Sequence, residues 1–278
     1  MIEIANLGFS YPGAHMQALD GITLAIPSGQ FCGVVGANGS GKSSLCYALS
    51  GFIPHFFRGV YRGHVRIADR LVADRTLADL AGDVGLVFEN PFNQITGARL
   101  TVAEEIAFGL ENLAVPVNEM RRRVQEALAL TGLTELADRS PYALSGGQQQ
   151  RLAVASMIAM KPKVLVLDEP SSQLDPSGTR DLFETLKTLT SNAGLTLILT
   201  EHKLDWLAAF ADRVIALAAG RVVLDGTPRE VLTSPVMLEN GIGQTRYTEA
   251  AARCRHAGLV KEDGSLPVTL EQAVEALR

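Results

Sequence analysis

Residues 31–44 read FCGVVGANGSGKSS, an apolar strand pattern that runs directly into a glycine-rich loop. The loop Gly36-Ala37-Asn38-Gly39-Ser40-Gly41-Lys42-Ser43-Ser44 fits GxxxxGK[ST], and LCYALSG after it has a helical pattern. Its glycines let the backbone wrap closely, so that N–H groups point inward at phosphate oxygens. The helix that follows adds the positive end of its dipole. Lys42 is then placed to reach the β- and γ-phosphates of a nucleoside triphosphate, and the Ser43 hydroxyl to ligate Mg²⁺.

Working outward, VLVLDEP (164–170) supplies the matching acids. Four apolar residues end in Asp168, which puts a carboxylate at the C-terminal edge of a sheet, where α/β proteins bind their ligands. Asp168 is the candidate that holds Mg²⁺ through water, and Glu169 the candidate general base for an attacking water. VGLVF (84–88), TLILT (196–200) and RVIAL (213–217) are further continuous apolar runs, the pattern of strands buried on both faces of a parallel sheet. IEIANLGFSY and ITLAIPSG alternate more and carry turn residues, which predicts an antiparallel β layer beside that sheet. Residues 91–160 are mostly helical in pattern, with a capping box at Thr101 and Glu104 and one apolar face at Met120, Val124 and Leu128. Arg121–Arg123 read as a solvated helix face. The strand-like RVVLDG follows residue 220, and a tail closes with Leu270, Val274 and Leu277 at helical spacing.

Composition narrows the class. The chain has 278 residues, 47% hydrophobic and 20% charged, so it is globular. Its net charge of -5 gives no support to nonspecific nucleic-acid binding, and no nucleic-acid partner is expected. Three cysteines, Cys32, Cys46 and Cys254, have no CxxC spacing, which argues against a zinc module or disulfide scaffold and for a reducing compartment. No apolar run reaches the roughly 18 residues of a membrane span, and MIEIANLGFS lacks the features of a signal peptide. A cytoplasmic protein is the expectation.

Leu144-Ser145-Gly146-Gly147-Gln148 precedes the VLVLDEP strand. Ser145 is placed to cap a helix with Gln148 as its third residue, and two glycines would let a phosphate approach the N–H groups there. Here the sequence resembles the ATP-binding cassette (ABC) ATPases, whose signature is LSGGQ. The resemblance covers residues 1 to about 230 and implies ATP as the nucleotide. It also implies an α/β, P-loop ABC-type domain with a mostly parallel core sheet, an antiparallel β layer and a helical signature subdomain. Ser171-Ser172-Gln173-Leu174-Asp175-Pro176 is similar to the loop that crosses the dimer interface in that family, and Asp175 is carried over as a nucleotide-site residue. His202 resembles the switch histidine on the γ-phosphate, and Tyr11 the aromatic that stacks on adenine. Two cassettes would close head to tail, each phosphate loop completed by the other chain's Ser145, Gly146, Gly147 and Gln148. Residues 231–278 would form a C-terminal helical extension beyond a 1–230 ATPase domain whose helical subdomain spans 91–160.

One position departs from the family pattern. After VGLVF the family usually has glutamine, and this chain has Glu89; Gln94 lies five residues on. Glu89 would still offer Mg²⁺ an oxygen, with an added negative charge. ENPFNQI, TVAEEIAFGLENLAVP, SSQLDPSGT, TEHKLDWLAAFADRVIAL, GFIPHFFRG and VTLEQAVEAL resemble the ATPase subunits of energy-coupling factor importers of vitamins or transition metals. That subgroup implies a peripheral ATPase pair, of identical or homologous chains, at the cytoplasmic membrane face. Its partners would be a transmembrane scaffold protein and a substrate-capture membrane protein. The alternatives are a low-activity structural half of a heterodimeric pair and a soluble ABC ATPase outside transport.

Overall fold

The computed structural model describes residues 1–257 and 266–276; Leu277 lies outside them. Among the described residues ten strands form two sheets: β1 (Ile2–Ser10), β2 (Leu19–Ile26), β3 (Phe31–Gly36), β4 (Val60–Ile67), β5 (Arg70–Leu71), β6 (Val84–Val87), β7 (Val164–Asp168), β8 (Thr196–Thr200), β9 (Arg213–Ala218) and β10 (Arg221–Gly226). One sheet has the order β10-β9-β3-β8-β7-β6, parallel except for β10 at its edge. The other is antiparallel, in the order β2-β1-β4-β5. The expected pairing of a mostly parallel core with an antiparallel layer is therefore present. β4 and the two-residue β5 are the strands that the sequence pattern did not announce.

Every residue of β3, β7 and β8 is buried, which is why these segments read as unbroken apolar runs. Their alternate side chains serve two cores. Cys32, Val34, Val166 and Ile198 face Leu7, Phe9, Ile22 and Leu45, between the two sheets. Phe31, Val35, Leu167 and Leu199 face the other way, onto Phe183, Leu186 and Leu207. Val231, Leu232, Met237 and Val268 are buried in this second core, so the segment after residue 230 packs on the sheet. A third core joins the helices Val102–Asn112, Val117–Leu130 and Gly146–Ala159 through Ile106, Leu110, Val124, Leu128 and Leu152.

Local signals set the helix boundaries. Thr101 and Glu104 form the predicted capping box, as do Ser145 and Gln148. Arg122 and Arg123 pair with Glu119 on the exposed helix face and hold its carboxyl down to about 2, so the arginine run is solvated as read. The closing helix Leu270–Ala276 leaves Leu270 and Val274 exposed.

The parallel register brings the functional strand ends to one level. Asp168 lies opposite Thr200, and Thr200 opposite Val34, two residues before Gly36. This arrangement rests on the second core, where Phe183 is fully buried among Phe31, Trp206 and Phe210 at ring-centroid distances of 6.1, 5.7 and 5.6 Å. Phe183→Ala is expected to lower unfolding stability by ~3–5 kcal/mol, measured by chemical denaturation. A loss below about 1 kcal/mol would show that this core is not what supports the sheet.

Candidate active site

The phosphate loop is clamped by segments far away in sequence. Gly220 N–H donates to the Ser40 carbonyl (3.0 Å) and Asp20 N–H to the Gly220 carbonyl (2.8 Å), so the β9–β10 turn bridges the loop to the antiparallel sheet. Gly41 has φ +105°, and a Cβ there would stand 2.5 Å from the Ala18 carbonyl oxygen. Only glycine meets both demands. The helix Lys42–Leu49 begins at Gly41 with no side-chain cap and no acid in its first turn, leaving its leading N–H groups free for an anion. The Ser40 hydroxyl is buried against Gly36 with no hydrogen-bond partner, a further donor inside the loop. Asn38 and Gly39 form the exposed tip, with Ala37 half-buried beside them.

Lys42 is 5% exposed, and its Nζ donates to the carbonyls of Gly36 (3.0 Å) and Ala37 (3.5 Å). It also lies 3.6 Å from Glu169 Oε1, and that same oxygen is 2.8 Å from His202 Nε2. Lys42, Glu169 and His202, spread over 160 positions of sequence, thus meet on one carboxylate oxygen. Burial, reinforced by Asp168, pushes the Cys46 thiol well above its ordinary value, so this neighbour stays protonated.

Thr200 fixes both acids. Its buried hydroxyl donates to Asp168 Oδ1 (2.7 Å) and accepts from the Glu169 N–H (3.0 Å), while its carbonyl accepts from the same N–H at 3.2 Å. Glu169 sits at φ +47°, a strained backbone for a non-glycine residue, held by these contacts. Glu201, 3% exposed, accepts from the Ser171 hydroxyl and from the N–H groups of His202 (2.7 Å) and Lys203 (3.1 Å). Neither Thr200 nor Glu201 was singled out from sequence. The available signal was a hydroxyl and a carboxylate at the end of an apolar strand, directly before the histidine.

The remaining candidates fall on three sides. The Tyr11 hydroxyl and Ser44 Oγ share a hydrogen bond (3.1 Å), which brings the ring to the start of the phosphate-loop helix. Ser145 and Gln148 cap each other, and a Cβ on Gly147 would stand 3.2 Å from the Gln173 carbonyl oxygen, so the signature motif packs on the Ser171–Asp175 loop of its own chain. Asp175 is exposed and caps the helix Pro176–Ala193 through Gly178 N–H (2.6 Å). Glu89 is exposed at the end of β6, and its carbonyl accepts from Ser172 Oγ (3.5 Å). Gln94 turns inward, accepting from Phe88 N–H (3.4 Å) and donating to the Ala153 carbonyl of the signature helix (3.2 Å).

The ABC transporter family model matches residues 19–172, from the start of β2 through the loop after Glu169. The chain belongs to the ABC transporter ATPases. A putative ABC transporter ATP-binding protein of Pyrococcus horikoshii is 39% identical over 100% of this chain and 96% of its own length. The energy-coupling factor transporter ATP-binding protein EcfA1 of Caldanaerobacter subterraneus subsp. tengcongensis is 40% identical over 99% of this chain and 98% of its own. Among solved structures, cbiO1 of Clostridium perfringens, part of the ABC transporter complex cbiONQ, is 30% identical. It covers 92% of this chain and 98% of its own with a TM-score of 0.75. A dimeric cassette, MJ0796, in a post-hydrolysis state with ADP and Pi, is 28% identical, with a TM-score of 0.73 over 82% of this chain and 99% of its own.

The chain is thus an ATP-binding, ATP-hydrolysing cassette, and ABC ATPases act as dimers. Among the described residues no helix is long and apolar enough to cross a membrane. Lys42→Ala is expected to abolish tight ATP binding, because it removes the buried cation of the loop. Calorimetry that returned wild-type affinity for this variant would move the phosphate site elsewhere.

Proposed function

We propose that this cassette powers an importer of the energy-coupling factor type, through an ATP-driven head-to-tail dimer peripheral to the cytoplasmic membrane face. The observation that carries the catalytic part is the convergence of Lys42 and His202 on Glu169 Oε1, at 3.6 and 2.8 Å. When a triphosphate enters the loop, Lys42 transfers its contacts from the Gly36 and Ala37 carbonyls to the β- and γ-phosphates. Glu169, released from Lys42, orients the attacking water and accepts its proton. His202 holds Glu169 through Nε2 before nucleotide arrives and then turns that N–H to a γ-phosphate oxygen. The backbone N–H groups of residues 36–44 and the Ser40 hydroxyl hold the remaining phosphate oxygens, and Tyr11 meets the adenine. The partner chain supplies Ser145, Gly146, Gly147 and Gln148 on the far side of the γ-phosphate, and Asp175 belongs to the loop that crosses this interface.

The donor set fits Mg²⁺. Among the described residues no cluster of three or more His, Cys, Asp or Glu could hold a metal, so an ion here takes most of its ligands from phosphate and water. Ser43 stands at the loop, and Asp168 keeps its second oxygen after Thr200 takes Oδ1. We assign Ser43, Asp168 and Glu89 to the ion, which when bound neutralises charge on the triphosphate.

The importer reading rests on the EcfA1 and cbiO1 likeness and on one surface. Phe92 (57% exposed) meets Tyr142 (54% exposed) edge-on at 6.0 Å, beside the Gln94 link to the signature helix. This apolar patch is where a helix of the transmembrane scaffold would dock, with a separate membrane protein capturing the vitamin or metal substrate. The second ATPase of the pair is the same chain or a homologue.

Glu169→Gln should leave ATP binding intact, nearly stop turnover and accumulate an ATP-bound dimer, read by size exclusion in ATP. Wild-type turnover would remove Glu169 from the base role. Phe92→Asp should lose co-purification with membrane proteins from solubilised membranes while the isolated chain binds ATP normally. Normal assembly of that variant would move the docking site.

A further inference from the structure

We propose that Glu201 is a positioning residue that ties the switch histidine to the interface loop, so that each site of the dimer senses the other. The proposal rests on the assignment of His202 given above and extends it. Glu201 is a nearly fully buried carboxylate directly after β8, and both of its oxygens accept hydrogen bonds. One oxygen takes the Ser171 hydroxyl; the other takes the N–H groups of His202 and Lys203 at 2.7 and 3.1 Å. Charge-assisted bonds of this kind, out of water, are among the stronger ones in a protein. The backbone of His202 is therefore set by a group whose other half is fixed to the loop beginning at Ser171.

A second tie runs alongside. Lys203 Nζ donates to the Ser171 carbonyl (2.9 Å) and to Thr179 Oγ1 (3.2 Å), and Thr179 donates to the Asp175 carbonyl (2.9 Å). The loop so held leads on to Gln173 and Leu174, which pack against Gly146 and Gly147 of the signature motif. Ser171, Thr179, Glu201 and Lys203 thus bridge a histidine of one ATP site to the helix start offered to the other. A shift of the His202 backbone towards the γ-phosphate therefore moves Ser171 with it or breaks these bonds. Breaking them leaves a carboxylate uncompensated, which is costly.

The test uses four single variants and one double variant of the full chain, with ATP affinity by calorimetry, thermal midpoint, kcat, KM and the Hill coefficient for ATP. Ser171→Ala removes only the hydroxyl, and Glu201→Ala removes the whole bridge. Both are expected to lower kcat by about tenfold or more, to leave ATP affinity unchanged and to bring the Hill coefficient towards one. Glu201→Gln keeps an acceptor for the two N–H groups and offers its amide to Ser171, so it should regain most of kcat. In a His202→Ala background, Ser171→Ala should cause no further loss, because it acts through His202. Wild-type kcat and cooperativity in Ser171→Ala, or losses that simply add to that of His202→Ala, would overturn the coupling. Equal loss of ATP affinity and thermal stability in Glu201→Ala and Glu201→Gln would also overturn it, leaving a packing role. If Glu201→Ala does not fold, Ser171→Ala and Glu201→Gln decide. Wild-type turnover in His202→Ala would instead refute the assignment of the histidine itself.

Discussion

One hydroxyl group orders the catalytic edge of this protein. Thr200 ends β8 in register with Asp168, and its buried Oγ1 donates to the Asp168 carboxylate while accepting from the Glu169 N–H. The acid assigned to the ion and the acid assigned to the water are thereby fixed to a single side chain. Glu169 is forced to a positive φ, and this turns its carboxylate back towards Lys42 and His202. The energy to hold that backbone comes from the two buried cores on either side of β3, β7 and β8. A rigid sheet edge and a loop clamped by Ala18, Asp20 and Gly220 give a site built before nucleotide arrives.

What moves must then be small and local. Lys42 rests on loop carbonyls and Glu169, contacts that in the proposed mechanism a triphosphate would replace without any change in the sheet. The changes that matter over longer distances belong to two bridges. Gln94 connects the end of β6 to the helix Gly146–Ala159, and Glu201 connects His202 to the loop after Asp168 and Glu169. Each bridge uses a polar side chain to make one hydrogen-bonded body from two segments, the route that the proposal gives a nucleotide event to a surface.

The fold was legible where burial on both faces produced unbroken apolar runs, as in VLVLD and TLILT. β4 escaped notice because its sequence VYRGHVRI buries only Val65 and Ile67, and Gly63, at φ +71°, breaks the alternation where β1 bulges. The phosphate loop and its acids were legible because each is a local motif on contiguous residues. Thr200 and Glu201 were not, since their meaning lies in contacts with Asp168 and Ser171, some 30 positions away. Asp175 is a third kind of case: within one chain its carboxylate caps the following helix, a structural task that the motif alone does not reveal.

A structure of the Glu169→Gln variant with ATP and Mg²⁺ tests the central claim most directly. The account predicts a head-to-tail dimer in which Lys42 Nζ has left the Gly36 carbonyl for the β- and γ-phosphates. The hydrogen bond of Thr200 to Asp168 should persist unchanged, and Ser145 of the second chain should face the γ-phosphate. A triphosphate bound away from the loop, with Lys42 still on Gly36, or a β7–β8 edge rearranged on binding, would contradict it.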